Sequence, residues 1–199
     1  MPRIAKHSKS ALTDILEPVF LSYGYDGASL GMLSEAAGVS KASLYHHFSN
    51  GKQDMAAAVL NRSGTHLQQL VLAPLLATGP SVGRLLQSYE GVAAYYSGTV
   101  PACLMNSFLL GQGAKLFGQR ISLAVGAWQK ALENAYSELQ KDRVLSSGVI
   151  DADSEDEDAA PNKARAVLQQ IQGALVLCRV TNSRAPLESS LKGLCAELA

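Results

Sequence analysis

The 199-residue chain is short of charge. Ionisable acids and bases make up 17% of it, 17 of each sign, so the formal net charge is zero. From Met1 to Arg62 the tally is six Lys or Arg against five Asp or Glu. No overall basic field advertises nucleic acid, although a small DNA reader inside a larger chain does not need one. Cysteine is scarce too. Cys103, Cys178 and Cys195 are an odd number without a Cys-x-x-Cys pair. With no secretory leader in view, that leads us to expect a reduced, cytoplasmic protein. No apolar run reaches the length of a membrane span. His46 and His47 are adjacent, diverge on a helix and cannot share one metal ion. There is no Ser/His/Asp logic, no phosphate-cradling glycine loop and no metal-spaced ligand set, so neither an enzyme nor a cofactor is expected.

What remains is apolar (47% hydrophobic) and almost wholly of helical period. The fold expected is all-α. Ser8 or Ser10 can cap a first helix with Leu12, Ile15, Leu16, Val19 and Phe20 inward, stopped at Tyr23-Gly24. Pro18 lies inside it and should kink it or force a late start. Ser29 can cap a second helix, closed by Gly38, and Ser40 a third to about Phe48. A fourth begins near Asn50 to Lys52, with Met55, Val59, Arg62 or Ser63, His66 and Leu70 on one face. Pro74 to Pro80 reads as a loop, followed by a helix on Val82, Leu85, Leu86, Tyr89, Val92, Ala93 and Tyr96. Pro101 is placed to open a helix running to Leu116, and Ile121, Ala124, Trp128, Ala131, Ala135 and Leu139 mark a long one.

Ser146 to Pro161 carries Asp151, Asp153, Glu155, Asp156, Glu157 and Asp158 and reads as a solvated loop. It lacks the glycine and the closing Glu spacing of a calcium loop. Two closing stripes follow: Ala164, Val167, Leu168, Ile171, Ala174, Leu175, Cys178, and then Leu187, Leu191, Leu194, Leu198 behind Pro186. Such a helix pair suits either a homodimer interface or the chain's own core.

The stretch Leu30 to Phe48 carries the functional signal. Leu33, Ala37, Val39 and Leu44 fall where two short crossing helices meet, and Gly38 supplies the positive φ of a tight turn. Lys41, Ala42, Ser43, Tyr45 and His46 are then left near the exposed N-terminal side of the second short helix, where a major groove can meet them. Turn geometry alone also fits a helical hairpin with no DNA role.

The run from Tyr25-Asp26-Gly27-Ala28-Ser29-Leu30 through Ala36-Ala37-Gly38-Val39-Ser40-Lys41 to Leu44-Tyr45-His46-His47-Phe48 resembles the N-terminal domain of TetR-family regulators. The likeness spans roughly Ser10 to Leu60. Ser49-Asn50-Gly51-Lys52, with an extra residue before the Lys, is similar to the LmrA/YxaF-like branch of that family, as are Pro101-Ala102-Cys103-Leu104 and Ala174 to Arg179. Ser34 departs from the usual Ala, and Pro18 interrupts a helix that is normally unbroken.

The resemblance implies a helix-turn-helix domain over residues 1–52 and a helical ligand-binding and dimerisation domain over 53–199. It implies that Ser29 caps the second helix and offers its hydroxyl to phosphate. Lys41 would pair with phosphate or a guanine edge, Ser43 would reach into the groove, Tyr45 and His46 would touch phosphate or bases, and Lys52 would bind phosphate. Arg3, Lys6, His7 and Lys9 form a short basic arm, either a minor-groove contact or a polar tail.

The partners implied are a double-stranded DNA operator of palindromic form and a second copy of the chain, joined through the helices at 164–180 and 187–198. A small-molecule effector is implied as well, and no membrane. Polar or aromatic residues interrupting an apolar face are the candidate effector lining: Tyr95, Tyr96, Met105, Asn106, Phe108, Trp128 and Arg179. Such a lining suits an apolar or aromatic molecule. Cys103 is either a redox sensor or a small buried hydrophobe. The competing reading is a helical interaction protein without DNA.

Overall fold

The computed structural model describes residues 7–98, 100–147 and 159–199. Among these, every regular element is helical: α1 (Lys9–Gly27), α2 (Leu30–Ala37), α3 (Lys41–His47), α4 (Lys52–Leu67), a π turn (Gln68–Leu72), α5 (Ala73–Leu76), α6 (Ser81–Tyr95), α7 (Leu104–Phe108), α8 (Gly111–Ser147), α9 (Ala159–Thr181) and α10 (Ala185–Ala196). None of these helices is long and apolar enough to cross a membrane. The chain forms two compact units. One takes the residues up to Thr65 with Cys103–Ile121, the other His66–Ala102 with Ser122–Ala199.

In the first unit α1 starts where its cap requires, with Ser8 Oγ accepting from the Ala11 N–H at 3.1 Å. Leu12, Leu16 and Phe20 are buried at helical spacing. The helix neither starts late nor breaks at Pro18. Its one departure from helical torsions is Gly24, at φ 65°. A side chain is excluded there as well, because an added Cβ would lie 2.5 Å from the Ser107 carbonyl oxygen. The end of α1 thus docks on α7. Ser107 Oγ donates to the Leu21 carbonyl at 2.9 Å, and the Asp26 carboxylate accepts from the Gln112 N–H at 2.8 Å. Phe20, Tyr25, Phe108 and Phe117 close the joint edge-on or tilted, with ring centroids 5.4 to 6.3 Å apart.

That joint corrects the helix expected from Pro101 to Leu116. The chain is helical only over Leu104–Phe108, breaks at Leu109-Leu110, and restarts at Gly111 with φ 53°. Asp26 caps the new start, so the break is imposed from 86 residues away.

Pro74 corrects a second expectation, because the fourth helix does not end there. It passes through the π turn into α5, where Pro74 occupies the first turn and needs no donor. The π turn continues the buried face at a spacing of four from Leu67 to Val71. The buried residues are Met55, Val59, Ser63, Leu67 and Val71, whereas His66 and Leu70 are exposed. It also carries the α6 contact. Ser88 Oγ donates to the Val71 carbonyl at 2.9 Å, and a Cβ on Gly91 would stand 1.7 Å from the Leu70 oxygen.

The second unit is held by further ties across its helices. Arg84, buried on α6, donates to the Leu75 and Ala77 carbonyls at 3.2 Å and pairs with Glu138 of α8. Ser81 donates to Asp142 at 2.8 Å. Trp128, Ala131, Leu132, Ala135 and Leu139 form the buried stripe of α8. Both C-terminal stripes, from Ala164 to Cys178 and from Leu187 to Leu198, are buried within the single chain, as α9 packs on α10 and α10 on α6. Those side chains belong to the chain's own core. The outer side of α9 is different: Val176 and Leu177 are 53% exposed and Val180 75%. Ser146, Ser147 and Ala159–Pro161 are helical, against the loop expected from Ser146 to Pro161. The acidic residues 151–158, and the calcium reading of them, lie outside the described residues, as do Arg3 and Lys6 of the basic arm.

Candidate nucleic-acid interface

The two short helices are set by local chemistry. Ser29 Oγ accepts from the Met32 N–H at 3.2 Å and Ser40 Oγ from the Ser43 N–H at 3.2 Å, so each hydroxyl satisfies an orphan amide of its first turn. Gly38 closes α2 in the left-handed region, at φ 61° and ψ 26°. Ser34, the departure from the usual Ala, has a use here: its hydroxyl donates to the Val39 carbonyl and ties the turn shut. Leu33, Ala37, Leu44 and Phe48 are buried beneath the pair.

On the outer side of α3, Lys41, Tyr45 and His46 are exposed and Ser43 is half-buried. They fall at positions 41, 43, 45 and 46 of a seven-residue helix whose opposite side is anchored by Leu44. Ser29 is exposed at the start of α2. Lys52 is half-buried like Ser43, so all six expected contact residues keep some surface. His46 and His47 meet edge-on at 5.5 Å, and no group of three His, Cys, Asp or Glu suited to a metal occurs among the described residues.

Lys52 is placed differently. Its Nζ donates to the Tyr25 carbonyl at 2.8 Å and lies 4.5 Å from the Tyr25 ring centroid, so the ammonium braces the start of α4 against the end of α1. Burial, and then Asp26, push the Tyr25 phenol up from its ordinary value. Lys9 similarly stands 5.2 Å from the Phe48 ring, and Arg62 joins Asp14 at 2.5 Å.

Two contributors were missed in the sequence. Gly51, at φ 59°, is the seat of Tyr45: an added Cβ would lie 2.8 Å from Tyr45 Cε1 and 3.2 Å from Cζ and Oη. The extra residue before Lys52 was the available signal. Asp54 caps α4, accepting from the Asn50 N–H at 2.8 Å, from Asn50 Nδ2 at 3.1 Å and from Ser49 Oγ at 3.3 Å. The Asn50 backbone bond leads the effects that hold its carboxyl below the usual range.

The seven effector candidates are divided between the two units. Met105, Asn106 and Phe108 lie in the first unit, where Phe108 is enclosed by the aromatic cluster. Tyr95, Tyr96, Trp128 and Arg179 lie in the second. There Tyr95 and Tyr96 meet edge-on at 4.6 Å, Trp128 is fully buried and Arg179 is exposed. Cys103 is buried. None of the seven lines a cavity of about 460 Å³ in the second unit, which is bounded by α8, α9 and the end of α10.

Known proteins share this arrangement. The sequence model of the bacterial regulatory proteins of the tetR family matches residues 17–59. The HTH-type transcriptional regulator LmrA of Bacillus subtilis is 22% identical over 184 residues, which is 90% of each chain. Among solved structures, a TetR transcriptional regulator from Chloroflexus aurantiacus is similar with a TM-score of 0.71 at 17% identity, over 94% of this chain and 92% of that one. AibR, in complex with isovaleryl coenzyme A and operator DNA, is similar with a TM-score of 0.64 at 19% identity, over 95% and 96%. These structural likenesses carry the fold. The tetR-family match spans α2 and α3, and LmrA is similar to the chain along most of its length.

Proposed function

We propose that the chain acts in the cytoplasm as a homodimeric repressor that grips a palindromic operator and lets go when a small molecule binds. The observation that carries this reading is the outer side of α3, where Lys41, Tyr45 and His46 stand exposed over a locked turn. Residues 1–52 read the DNA, and residues 53–199 dimerise and bind the effector. Lys41 and Ser29 serve phosphate, while Ser43, Tyr45 and His46 reach the groove. Lys52 acts first as a brace on Tyr25 and offers its remaining N–H groups to phosphate.

The dimer forms through the C-terminal helices, but on the outer side of α9. Val176, Leu177 and Val180 there make an apolar face that a second copy covers. Two α3 helices then sit about one DNA turn apart, or a multiple of it, which calls for a palindrome. A small, largely apolar effector favours the dimer with the wrong spacing, by no more than its preference between the two states. The binding of both a small molecule and operator DNA by AibR, a relative in fold, supports this pairing of roles. The test is a gel shift with DNA flanking the protein's own gene. The wild type shifts the fragment, and Lys41→Ala or Tyr45→Ala abolishes the shift. No shift by the wild type leaves the helical interaction protein as the better reading, and a shift that persists in both variants overturns the assignment of the contact to α3.

A further inference from the structure

The cavity of about 460 Å³ lies within the second unit, where the C-terminal part of α8, the first turns of α9 and the end of α10 meet. Buried Leu139, Ala160 and Leu198 give it an apolar wall. Tyr136 also lines it, its hydroxyl already satisfied by a 2.5 Å hydrogen bond with that of Tyr89. The remaining lining is polar: Gln140, Arg143, Lys163 and Glu197. Lys163 pairs with the Glu197 carboxylate and stands 6.0 Å from the Tyr136 ring centroid. Arg143 Nη2 donates to the Glu197 main-chain carbonyl at 3.3 Å. Among the described residues no carboxylate lies within ion-pair distance of Arg143. Two cations against one carboxylate give the described lining one net positive charge.

Among the described residues, a cation entering here would meet one carboxylate, Glu197, which Lys163 already neutralises. An uncharged molecule would leave Arg143 unused. We propose that this cavity binds a small organic anion with an apolar body, a carboxylate or sulfonate on a skeleton of roughly 10–20 non-hydrogen atoms. Arg143 and Lys163 take the anionic group, with Lys163 exchanging the Glu197 carboxylate for that of the ligand, and Leu139, Ala160 and Leu198 receive the body. This deepens the reading of a small, largely apolar effector by adding a charge and a place. It rests on that reading only in calling the molecule an effector, because binding is measured without DNA.

Anilinonaphthalene sulfonate, added to the full chain and followed by its fluorescence, is the probe. One saturable site per chain is expected. Arg143→Met and Lys163→Met each weaken it about tenfold, the effect of one charge-assisted hydrogen bond. Val144→Trp, at an exposed lining position, plugs the cavity and removes the site. Octanoate displaces the probe and octanol does not. Unchanged helical circular dichroism and thermal midpoint in Arg143→Met and Val144→Trp separate loss of the site from loss of the fold. No saturable binding, or affinity unmoved by both Arg143→Met and Val144→Trp in folded protein, overturns the proposal. A gel shift without the probe tests the repressor separately.

Discussion

Replacing Gly51 by Ala tests how the turn before α4 serves the DNA face. Two costs can be separated. A residue with a Cβ held near φ 59° carries about 1–2 kcal/mol of backbone strain. At roughly 2–4 °C per kcal/mol for a chain of this size, the thermal midpoint should fall by about 2–8 °C. The second cost falls on Tyr45. The new Cβ would lie 2.8 Å from Cε1, well inside the roughly 3.5–4.0 Å of a favourable carbon contact. The ring is the movable partner and swings off its seat. Displacing one groove contact should weaken operator binding by about 1–2 kcal/mol, roughly 5- to 30-fold. Gly51→Asn divides the two effects, because Asn tolerates the left-handed region better yet also carries a Cβ. Its midpoint should recover in part while its operator affinity stays low. In a Tyr45→Ala background, Gly51→Ala should cost little further affinity. Thermal denaturation and fluorescence anisotropy on labelled operator give both readouts. A folded Gly51→Ala protein that binds operator as tightly as the wild type would refute the reasoning.

Gly91→Ala drives a methyl group into the Leu70 carbonyl and should cost about 3 kcal/mol or more in chemical denaturation, whereas Gly64→Ala meets nothing within 4 Å and should gain about 0.5–1 kcal/mol. Arg84→Met abandons the Leu75 and Ala77 carbonyls and should destabilise by about 1–3 kcal/mol. Glu138→Gln, at the half-exposed partner, should cost under about 1 kcal/mol. Because the folded state lowers the Asp54 pKa, its contribution is complete above the ordinary carboxylate value and is lost as pH falls through the lowered one. Midpoints measured below about pH 4 should therefore fall more steeply in wild type than in Asp54→Asn. Leu177→Glu with Val180→Glu should give a monomer by light scattering and abolish operator binding; a dimer that survives both places the interface elsewhere.

What the sequence disclosed was chemistry that acts over three or four residues. Ser8, Ser29 and Ser40 cap the helices they were expected to cap, and Gly38 stops α2, because each acts on its own turn; at Gly24 α1 leaves helical torsions but runs on to Gly27. The misplacements lie where a distant residue decides. Asp26 caps the restart of the chain at Gly111, and the π turn carries the fourth helix through Pro74, with Leu67 and Val71 rather than His66 and Leu70 on its buried face. The C-terminal stripes were visible as apolar faces, but period alone could not say whether the chain or a second copy covers them. The DNA face was legible as residue types, yet the seating of Tyr45 on Gly51 and the tethering of Lys52 to Tyr25 needed three dimensions. The effector candidates were the least legible, because interrupted apolar faces mark core aromatics such as Phe108 and Trp128 as readily as a pocket.

The most direct test of the central claim is a footprint on the DNA flanking the protein's own gene. The wild type should protect two inverted half-sites whose centres lie about one helical turn, or a multiple of it, apart, and Lys41→Ala should lose both together. Protection without two-fold symmetry, or a footprint that Lys41→Ala leaves intact, would contradict a dimer reading an operator through α3.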